Sequence, residues 1–168
     1  MTVLRAAKPD DAAAIDQLFR TVFCVTFAHL YSDQDLANFL GQFTIATWRS
    51  ELSDPDFAIH IATQDDEVIG FAKLGPLKLP VEEDRPAILL SQLYVHGAHH
   101  GTGVASALME WVFTEAKRRQ KAQLYLTVFT DNPRARRFYE RYGFQPVGPY
   151  HFMVGNQADE DLIMRKAL

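Results

Sequence analysis

The spacing of apolar residues changes along the chain, and this change separates predicted helices from predicted strands. Near the N-terminus apolar side chains recur every three or four residues, which is the period of a helix with one buried face. Further on, short runs rich in β-branched and aromatic residues, bounded by Gly, Pro and Asp, indicate strands. The first helix is expected to begin at a cap on Asp10 or Asp11, to end near residue 25, and to turn Ile15, Leu18, Phe19 and Val22 toward a sheet.

Capping residues place the remaining helices. Ser32 with Asp35 and then Thr44 mark two more helices before the main sheet, and later ones are predicted after Gly103 and after Asn132. The alternation of element types predicts the α/β class, with a mixed sheet of about six to seven strands flanked by helices in a single domain over residues 1–168. The predicted strands cover residues 3–4, 57–62, 68–74, 88–95, 123–129, 144–147 and 162–166.

Composition narrows the class of protein. The 168 residues carry a net charge of −4 and include one cysteine, Cys24, so no intrachain disulfide can form. The first residues lack the apolar core of a signal peptide, and no run approaches the ~18 apolar residues of a membrane span. We therefore expect a cytoplasmic protein with no membrane partner. The negative charge also argues against nucleic acid, because binding to a phosphate backbone relies on many Lys and Arg contacts.

A glycine-rich turn, residues 97–103, joins a predicted strand to a predicted helix. Glycines let the backbone approach an anion, and the N-terminus of a helix offers unpaired N–H groups with a partial positive charge, so the turn is a candidate phosphate site. The alternative is a structural turn that uses Gly for positive φ. No Gly-Lys-Ser/Thr follows, which excludes a P-loop, and the mid-chain position without a later acidic residue fits a dinucleotide site poorly.

Two motifs resemble those of the GNAT superfamily of acetyl-CoA-dependent N-acetyltransferases. Leu93-Tyr-Val95 followed by His100-Gly-Thr-Gly103-Val-Ala105 is similar to the family's Leu-x-Val strand and its pyrophosphate loop, Q/R-x-x-G-x-G/A. The segment from Asn132 through Phe138-Tyr139 to Gly143-Phe144 is similar to its second signature, N-x-x-A-x-x-F-Y-x-x-x-G-F. Two departures stand out: His100 replaces the usual Gln or Arg, and Gln92 lies where some relatives carry a glutamate base.

The resemblance implies a GNAT fold, with the sheet splayed between its fourth and fifth strands, and a set of site residues. Tyr139 would be the general acid, although a helix tyrosine packed on the sheet is the simpler interpretation of this residue alone. Asn132 would contact the pantetheine arm, and it can also cap its helix. Tyr31 and Gln92 are candidates for the substrate pocket, with simple packing as the alternative for Tyr31. The cofactor residues would be Leu93, Val95, His100, Gly101, Thr102, Gly103, Val104, Ala105, Ser106 and Asn132.

The implied activity is direct transfer of acetyl from acetyl-CoA to a primary amine of a small molecule. A looser likeness to a bacterial branch with polyamine acetyltransferases makes a polyamine one candidate acceptor. The alternatives are acetylation of a protein or peptide N-terminus, and an acyl-CoA-binding sensor without turnover. We expect the N-terminal helices and the loop at residues 76–86 to set specificity, no metal at the histidines of the turn, and a homodimer by analogy with relatives. Whether the Arg134, Arg137 and Arg141 face touches the cofactor stays open.

Overall fold

The computed structural model covers Met1–Leu168 and contains one seven-stranded mixed sheet in the order β1-β2-β3-β4-β5-β7-β6. It confirms the predicted α/β class and the flanking helices. The strands are β1 (Val3–Ala6), β2 (Ala58–Gln64), β3 (Glu67–Gly75), β4 (Ala87–Val95), β5 (Gln123–Phe129), β6 (Gln145–Val154) and β7 (Gln157–Ala167). The helices are α1 (Ala12–Phe27), α2 (Asp33–Leu40), α3 (Ile45–Ser53), α4 (Val104–Arg118) and α5 (Pro133–Arg141).

Side-chain caps start three of the helices. The Ser32 hydroxyl accepts a hydrogen bond from the backbone N–H of Asp35 at 3.1 Å, at the start of α2. Thr44 caps α3 in the same way at 3.1 Å, and the Asn132 side chain caps α5 at 3.2 Å. Each cap satisfies an N–H that has no partner within the helix, which is why these residues predict the helix starts.

The start of α1 differs from the prediction. A short 3-10 turn, Pro9–Asp11, precedes α1, and the helix begins without a side-chain cap. The Asp11 carboxylate instead binds the Arg5 guanidinium at 2.8 Å and the backbone N–H of Lys8 at 2.7 Å. The prediction of a cap at Asp10 or Asp11 is therefore wrong, because an ion pair to β1 takes the carboxylate.

Two apolar layers cover the two faces of the sheet. No helix is both long enough and apolar enough to span a bilayer. The first layer lies against α4 and includes Leu108, Met109, Val112, Leu124, Leu126 and Met164. The second layer lies against α1, α2 and α3 and includes Ile15, Phe19, Phe23, Phe39, Trp48, Ile61 and Phe71.

The last two strands are longer than predicted. They form a hairpin whose turn is held on α2, because the backbone N–H of Asn156 donates to the Asp35 carboxylate at 2.8 Å. Gly155 at the turn has φ of 58°, a conformation that glycine adopts readily. The hydrophobicity pattern does not predict the first part of β7, because residues 157–161 are mostly polar. Two of the buried side chains in this part are the aspartates Asp159 and Asp161.

Candidate active site

The parallel strands β4 and β5 separate after a short stretch of pairing. Their register extends only from Ala87 to Leu89 on β4. A bulge at Ser91 lies just beyond this point, where β4 shifts register against β3. The predicted splay between the fourth and fifth strands is confirmed, and Leu93 and Val95 line the resulting cleft.

The glycine turn forms one end of this cleft. Gly101 and Gly103 have φ of 76° and 91°, in the left-handed region, so glycine is favoured at both positions. A Cβ at either position would meet no atom within 4 Å, which leaves open space above the turn. Gly103 is the N-cap of α4 and supplies no side-chain cap, so the first N–H groups of this helix remain available to an anion.

His100 connects the glycine turn to α5. Its Nε2 lies 3.0 Å from the backbone oxygen of Val95, and its Nδ1 lies 2.7 Å from the Arg134 guanidinium. The carbonyl accepts and the guanidinium donates, so the pattern requires the neutral tautomer with its proton on Nε2. The bridge holds Arg134 beside the turn, and both residues line the cleft.

Helix α5 contributes Tyr139 to the middle of the cleft, and its N-cap contributes Asn132. The Tyr139 ring packs against Phe138 and Phe144, with ring centroids 5.3 Å and 5.8 Å away. Burial raises the pKa of Tyr139, so its hydroxyl keeps a proton through the neutral range. This arrangement suits a proton donor.

Beyond the gap between β4 and β5, the cleft continues into an aromatic pocket on the α1 side of the sheet. The cleft has a volume of about 920 Å³. Phe23 stacks on Tyr31 with ring centroids 6.1 Å apart, and Phe27 meets Phe129 of β5 at 6.0 Å. The aromatic lining comprises Phe19, Phe23, Phe27, Tyr31, Phe39, Phe43, Tyr94, Phe129 and Phe152.

Two aspartates of β7 interrupt this aromatic lining. Asp159 and Asp161 are each only 7% exposed, and both line the cleft. The Tyr31 hydroxyl donates a hydrogen bond to Asp159. Burial, together with the neighbouring charge of Asp159, raises the pKa of Asp161 to about 7, while a hydrogen bond from Thr127 acts in the opposite direction. A carboxyl group with this pKa can exchange a proton near neutral pH.

Comparisons with known proteins agree with this geometry. The model of the acetyltransferase (GNAT) family matches residues 15–144. The chain belongs to this family. An uncharacterized N-acetyltransferase of Mycobacterium tuberculosis (strain ATCC 25618 / H37Rv) is 32% identical over 136 residues, which cover 80% of this chain and 83% of that protein. Family membership makes the protein an acetyltransferase.

Solved structures show the same GNAT fold. The PaiA N-acetyltransferase of Thermoplasma acidophilum, solved in complex with coenzyme A, aligns with a TM-score of 0.81 at 18% identity, over 100% of this chain and 99% of that one. NAA60 of Arabidopsis thaliana, solved with a bisubstrate analogue, aligns with a TM-score of 0.78 at 17% identity, over 100% and 99% of the two chains.

The structure brings most of the predicted site residues of this GNAT protein into one cleft. Thr102 and Val104 are exceptions: the Thr102 hydroxyl donates to the backbone oxygen of His99 at 2.6 Å, and the Val104 side chain is buried in the first apolar layer. Only their main-chain atoms remain for a ligand. The predicted residues that line the cleft are Tyr31, Gln92, Leu93, Val95, His100, Gly101, Gly103, Ala105, Ser106, Asn132 and Tyr139.

Other expectations about the site meet mixed outcomes. Arg134, Arg137 and Arg141, left open by the sequence, all line the cleft. The loop at residues 76–86 does not line the cleft, so the expectation that it helps to set specificity stays a prediction without support from the lining. Its Glu83 instead accepts a hydrogen bond from the Tyr125 hydroxyl at 2.7 Å. No group of three or more His, Cys, Asp or Glu side chains lies close enough together to hold a metal ion.

Sequence reasoning missed Asp159 and Asp161. They lie two residues apart on β7, so they share a face of the sheet, and Asp161 pairs in register with Phe129. The available signal was the alternation of Asp159, Asp161 and Ile163, which is the period of a strand. A run of charged residues near the C-terminus otherwise favours a solvated surface, and the sequence gives no indication of burial there.

Proposed function

We propose that this enzyme transfers the acetyl group of acetyl-CoA to the primary amine of a small molecule, by direct attack of the amine in a ternary complex. The observation that carries the proposal is the continuous cleft, which runs from the glycine turn through the gap between β4 and β5 to the buried carboxylates. A thioester bound from one end and an amine bound from the other would meet at the gap. This geometry favours direct transfer, because no covalent relay is needed.

The glycine-turn end of the cleft fits the phosphates of coenzyme A. The uncapped N-terminus of α4 offers N–H groups and roughly half a positive charge to an anion. We assign the pyrophosphate to the main chain of residues 101–106, with Thr102 and Val104 contributing through their backbone only. The complex of the T. acidophilum relative with coenzyme A supports this assignment.

The gap between the strands fits the pantetheine arm. The side of β4 that faces β5 has no strand partner after Leu89, so its main chain can bind amide groups as a neighbouring strand would. We assign Leu93 and Val95 to this contact, with Asn132 on the opposite wall. These residues hold the thioester in position, and acetyl-CoA supplies the activated acyl group.

Tyr139 is assigned as the acid that protonates the leaving thiolate. A thiol with a pKa near 8.5 leaves poorly as a thiolate at neutral pH, and a tyrosine that keeps its proton can supply one to the sulfur. Burial raises the pKa of Tyr139, which keeps it protonated throughout the working range. The hydroxyl forms no hydrogen bond within the protein, so its proton is available to the cleft.

The Tyr139→Phe variant tests this function. The ring contacts to Phe138 and Phe144 remain in the variant, so stability and the Kd for acetyl-CoA should stay unchanged. We expect kcat to fall about a hundredfold near pH 7 and the loss to shrink above the thiol pKa of about 8.5. Tyr142→Phe is the matched control, since Tyr142 is the C-cap of the same helix but packs on Phe113 outside the cleft. Full activity of Tyr139→Phe at neutral pH would overturn the assignment.

The acceptor is identified by measuring thiol release against phenethylamine, polyamines, amino acids, aminoglycosides and short peptides. The fold similarity to NAA60 keeps a peptide N-terminus as the second candidate. Release with peptides alone would replace the small-molecule proposal. Binding of acetyl-CoA without release for any acceptor would favour the sensor, and the absence of binding would refute the cofactor assignment. The expected homodimer stays a prediction, and light scattering would test it.

A further inference from the structure

The acceptor end of the cleft holds two buried carboxylates with no cation beside them. Asp159 and Asp161 are nine-tenths buried, yet neither forms an ion pair with a Lys or Arg. Buried carboxylates are normally paired, because removing an ion from water is costly unless an opposite charge compensates it. Two carboxylates that lack a compensating cation and open onto a substrate cleft are suited to binding a cationic ligand.

The two aspartates are held differently. Asp159 accepts a hydrogen bond from the Tyr31 hydroxyl on one oxygen and from the Gln157 amide at 3.2 Å on the other. For Asp161, only the Thr127 hydroxyl on the adjacent strand β5 acts as a hydrogen-bond donor. Asp159 is therefore fixed in place by the protein, whereas Asp161 keeps capacity to bind a donor from the cleft.

None of the cationic side chains that line the cleft is paired with Asp159 or Asp161. Lys73, which lines the cleft, binds the Glu51 carboxylate at 2.6 Å. Arg134 is bound to His100 at the far end. The titratable groups around Asp161 are acidic: Asp159 on the same strand, Tyr31 after α1, Tyr94 on β4 and, in register on β6, Tyr150.

Gln92 provides a second unsatisfied group in the same cleft. Its Oε1 atom is buried and has no hydrogen-bond partner, and the residue lines the cleft on β4. A buried acceptor without a donor is rare in folded proteins and usually indicates a missing partner. Unsatisfied acceptors on both walls of the cleft fit a ligand that brings several N–H groups and a positive charge.

We propose that Asp159 and Asp161 form the binding site for a primary ammonium group carried on an apolar chain or ring, and that Asp161 accepts the proton that this ammonium loses before attack. The proposal rests on the proposed function and names the acceptor class for it. The aromatic walls around Phe23, Phe27 and Phe129 surround the apolar part of the acceptor, and aromatic faces also attract the cation.

The proton balance is complete with the groups present. The ammonium gives its first proton to the Asp161 carboxylate, and the free amine then forms the C–N bond as the C–S bond breaks. Tyr139 donates its proton to the departing sulfur. The second proton released from nitrogen returns through solvent to Tyr139, and Asp161 passes its proton to solvent, so the products are an amide, a thiol and one proton.

The raised pKa of Asp161 makes this transfer feasible. A primary ammonium has a pKa of about 10.4, so transfer to an ordinary aspartate is unfavourable by a factor of about three million. With the pKa of Asp161 at about 7, that factor falls to about 2,500. The environment that isolates the carboxylate therefore also improves it as a base.

The activity test compares wild type, Asp161→Asn and the control Glu160→Gln with phenethylamine as acceptor. Glu160 is exposed on the same strand, so its variant changes the net charge equally outside the cleft. We expect Asp161→Asn to lower kcat/KM at least a hundredfold near pH 7, with the Kd for acetyl-CoA unchanged. The wild-type rate should level off above about pH 7, whereas the variant depends on amine deprotonated in solution and should gain about tenfold per pH unit up to the amine pKa.

Other results of this test would overturn the proposal. An Asp161→Asn loss below threefold near pH 7, or an equal loss at about pH 7 and pH 9.5, removes Asp161 as the base. Phenethylamine that neither turns over nor shifts the Tm of the acetyl-CoA-bound protein removes the proposed acceptor class. If acetyl-CoA itself does not bind, the proposed function fails, and a phenethylamine-induced Tm shift that Asp161→Asn abolishes would still support the ammonium site.

A second measurement tests the buried charge without any turnover. Because the pKa of Asp161 is raised to about 7 in the folded form, the folded protein holds a proton there that the unfolded chain releases near pH 4. Wild-type stability should therefore fall as pH rises through this window, by up to about a thousandfold in the unfolding constant relative to Asp161→Asn. If the free energy of unfolding in urea depends on pH in the same way for both proteins, Asp161 is not the isolated buried carboxylate that we describe.

Discussion

Replacement of Arg134 should weaken the binding of coenzyme A in a way that depends on His100. The Arg134 guanidinium is exposed and lies 2.7 Å from Nδ1 of His100, whose other nitrogen is bound to the Val95 carbonyl. The bridge places a cation beside the uncapped N-terminus of α4. We therefore expect Arg134 to contact a phosphate of the cofactor.

The expected change in the Kd for coenzyme A follows from the exposure of the Arg134 guanidinium. A charge-assisted hydrogen bond contributes about 1.5–3 kcal/mol in sheltered sites, and solvent screening of an exposed one brings this to about 1.4 kcal/mol, or tenfold in Kd. Arg134→Ala should therefore raise the Kd for coenzyme A about tenfold. His100→Ala removes the group that orders Arg134, and the freed rotamers should cost about threefold in Kd. In the His100→Ala background, Arg134→Ala should have a smaller effect than it has alone.

Calorimetric titration with coenzyme A measures the Kd of the Arg134→Ala and His100→Ala variants. The same titration with dephospho-coenzyme A shows which phosphate Arg134 contacts. Arg136→Ala is the control, because Arg136 lies on the same helix, donates to the backbone oxygen of Thr130 at 3.2 Å and does not line the cleft. An unchanged Kd in Arg134→Ala would refute the phosphate contact. Strictly additive effects of the Arg134 and His100 variants would refute the positioning by His100.

Two further predictions concern stability. Glu51→Gln leaves Lys73 buried over the Trp48 ring without its anion and should cost about 2–3 kcal/mol in the free energy of unfolding. Burial already lowers the pKa of Lys73, and the Glu51 carboxylate acts in the opposite direction. Without Glu51 the variant should regain stability as pH rises toward 10.5, because the unfolded chain then binds a proton that the folded lysine has lost. A urea midpoint that does not change with pH would contradict this. Gly155→Ala should lower the Tm, because its Cβ would lie 2.6 Å from Cα of Asp35 at a φ of 58°, and an unchanged Tm would contradict the close approach.

Local signals were sufficient for most of the fold. Ser32, Thr44 and Asn132 mark helix starts because a cap is a contact between residues two or three positions apart, which a sequence displays directly. Asp11 has the same chemistry, but its carboxylate binds Arg5 of β1, a tertiary contact that the local pattern does not reveal. This cap prediction failed because an ion pair with a neighbouring element competes for the same carboxylate.

The site was predictable on its cofactor side and much less so on its acceptor side. The glycine turn and Tyr139 belong to contiguous motifs, so the resemblance to the GNAT family could assign roles to them. The acceptor pocket combines α1 with β7, whose contact between Tyr31 and Asp159 joins residues 128 positions apart. Those carboxylates lie on a hairpin whose turn binds Asp35 of α2, 121 positions away from Asn156, and no local pattern encodes that contact.

The splay explains how a site can use residues from both faces of one sheet. Tyr139 packs with the apolar layer under α4, whereas Asp159 is bound by Tyr31 of the layer under α1. In a fully paired sheet the backbone would separate an acid on one face from a base on the other. Because β4 and β5 pair only as far as Leu89, the backbone opens between the two layers, and one thioester in the gap is accessible to both. The short parallel pairing is therefore what would let the proposed acid, Tyr139, and the proposed base, Asp161, serve one acetyl transfer from opposite faces of the sheet.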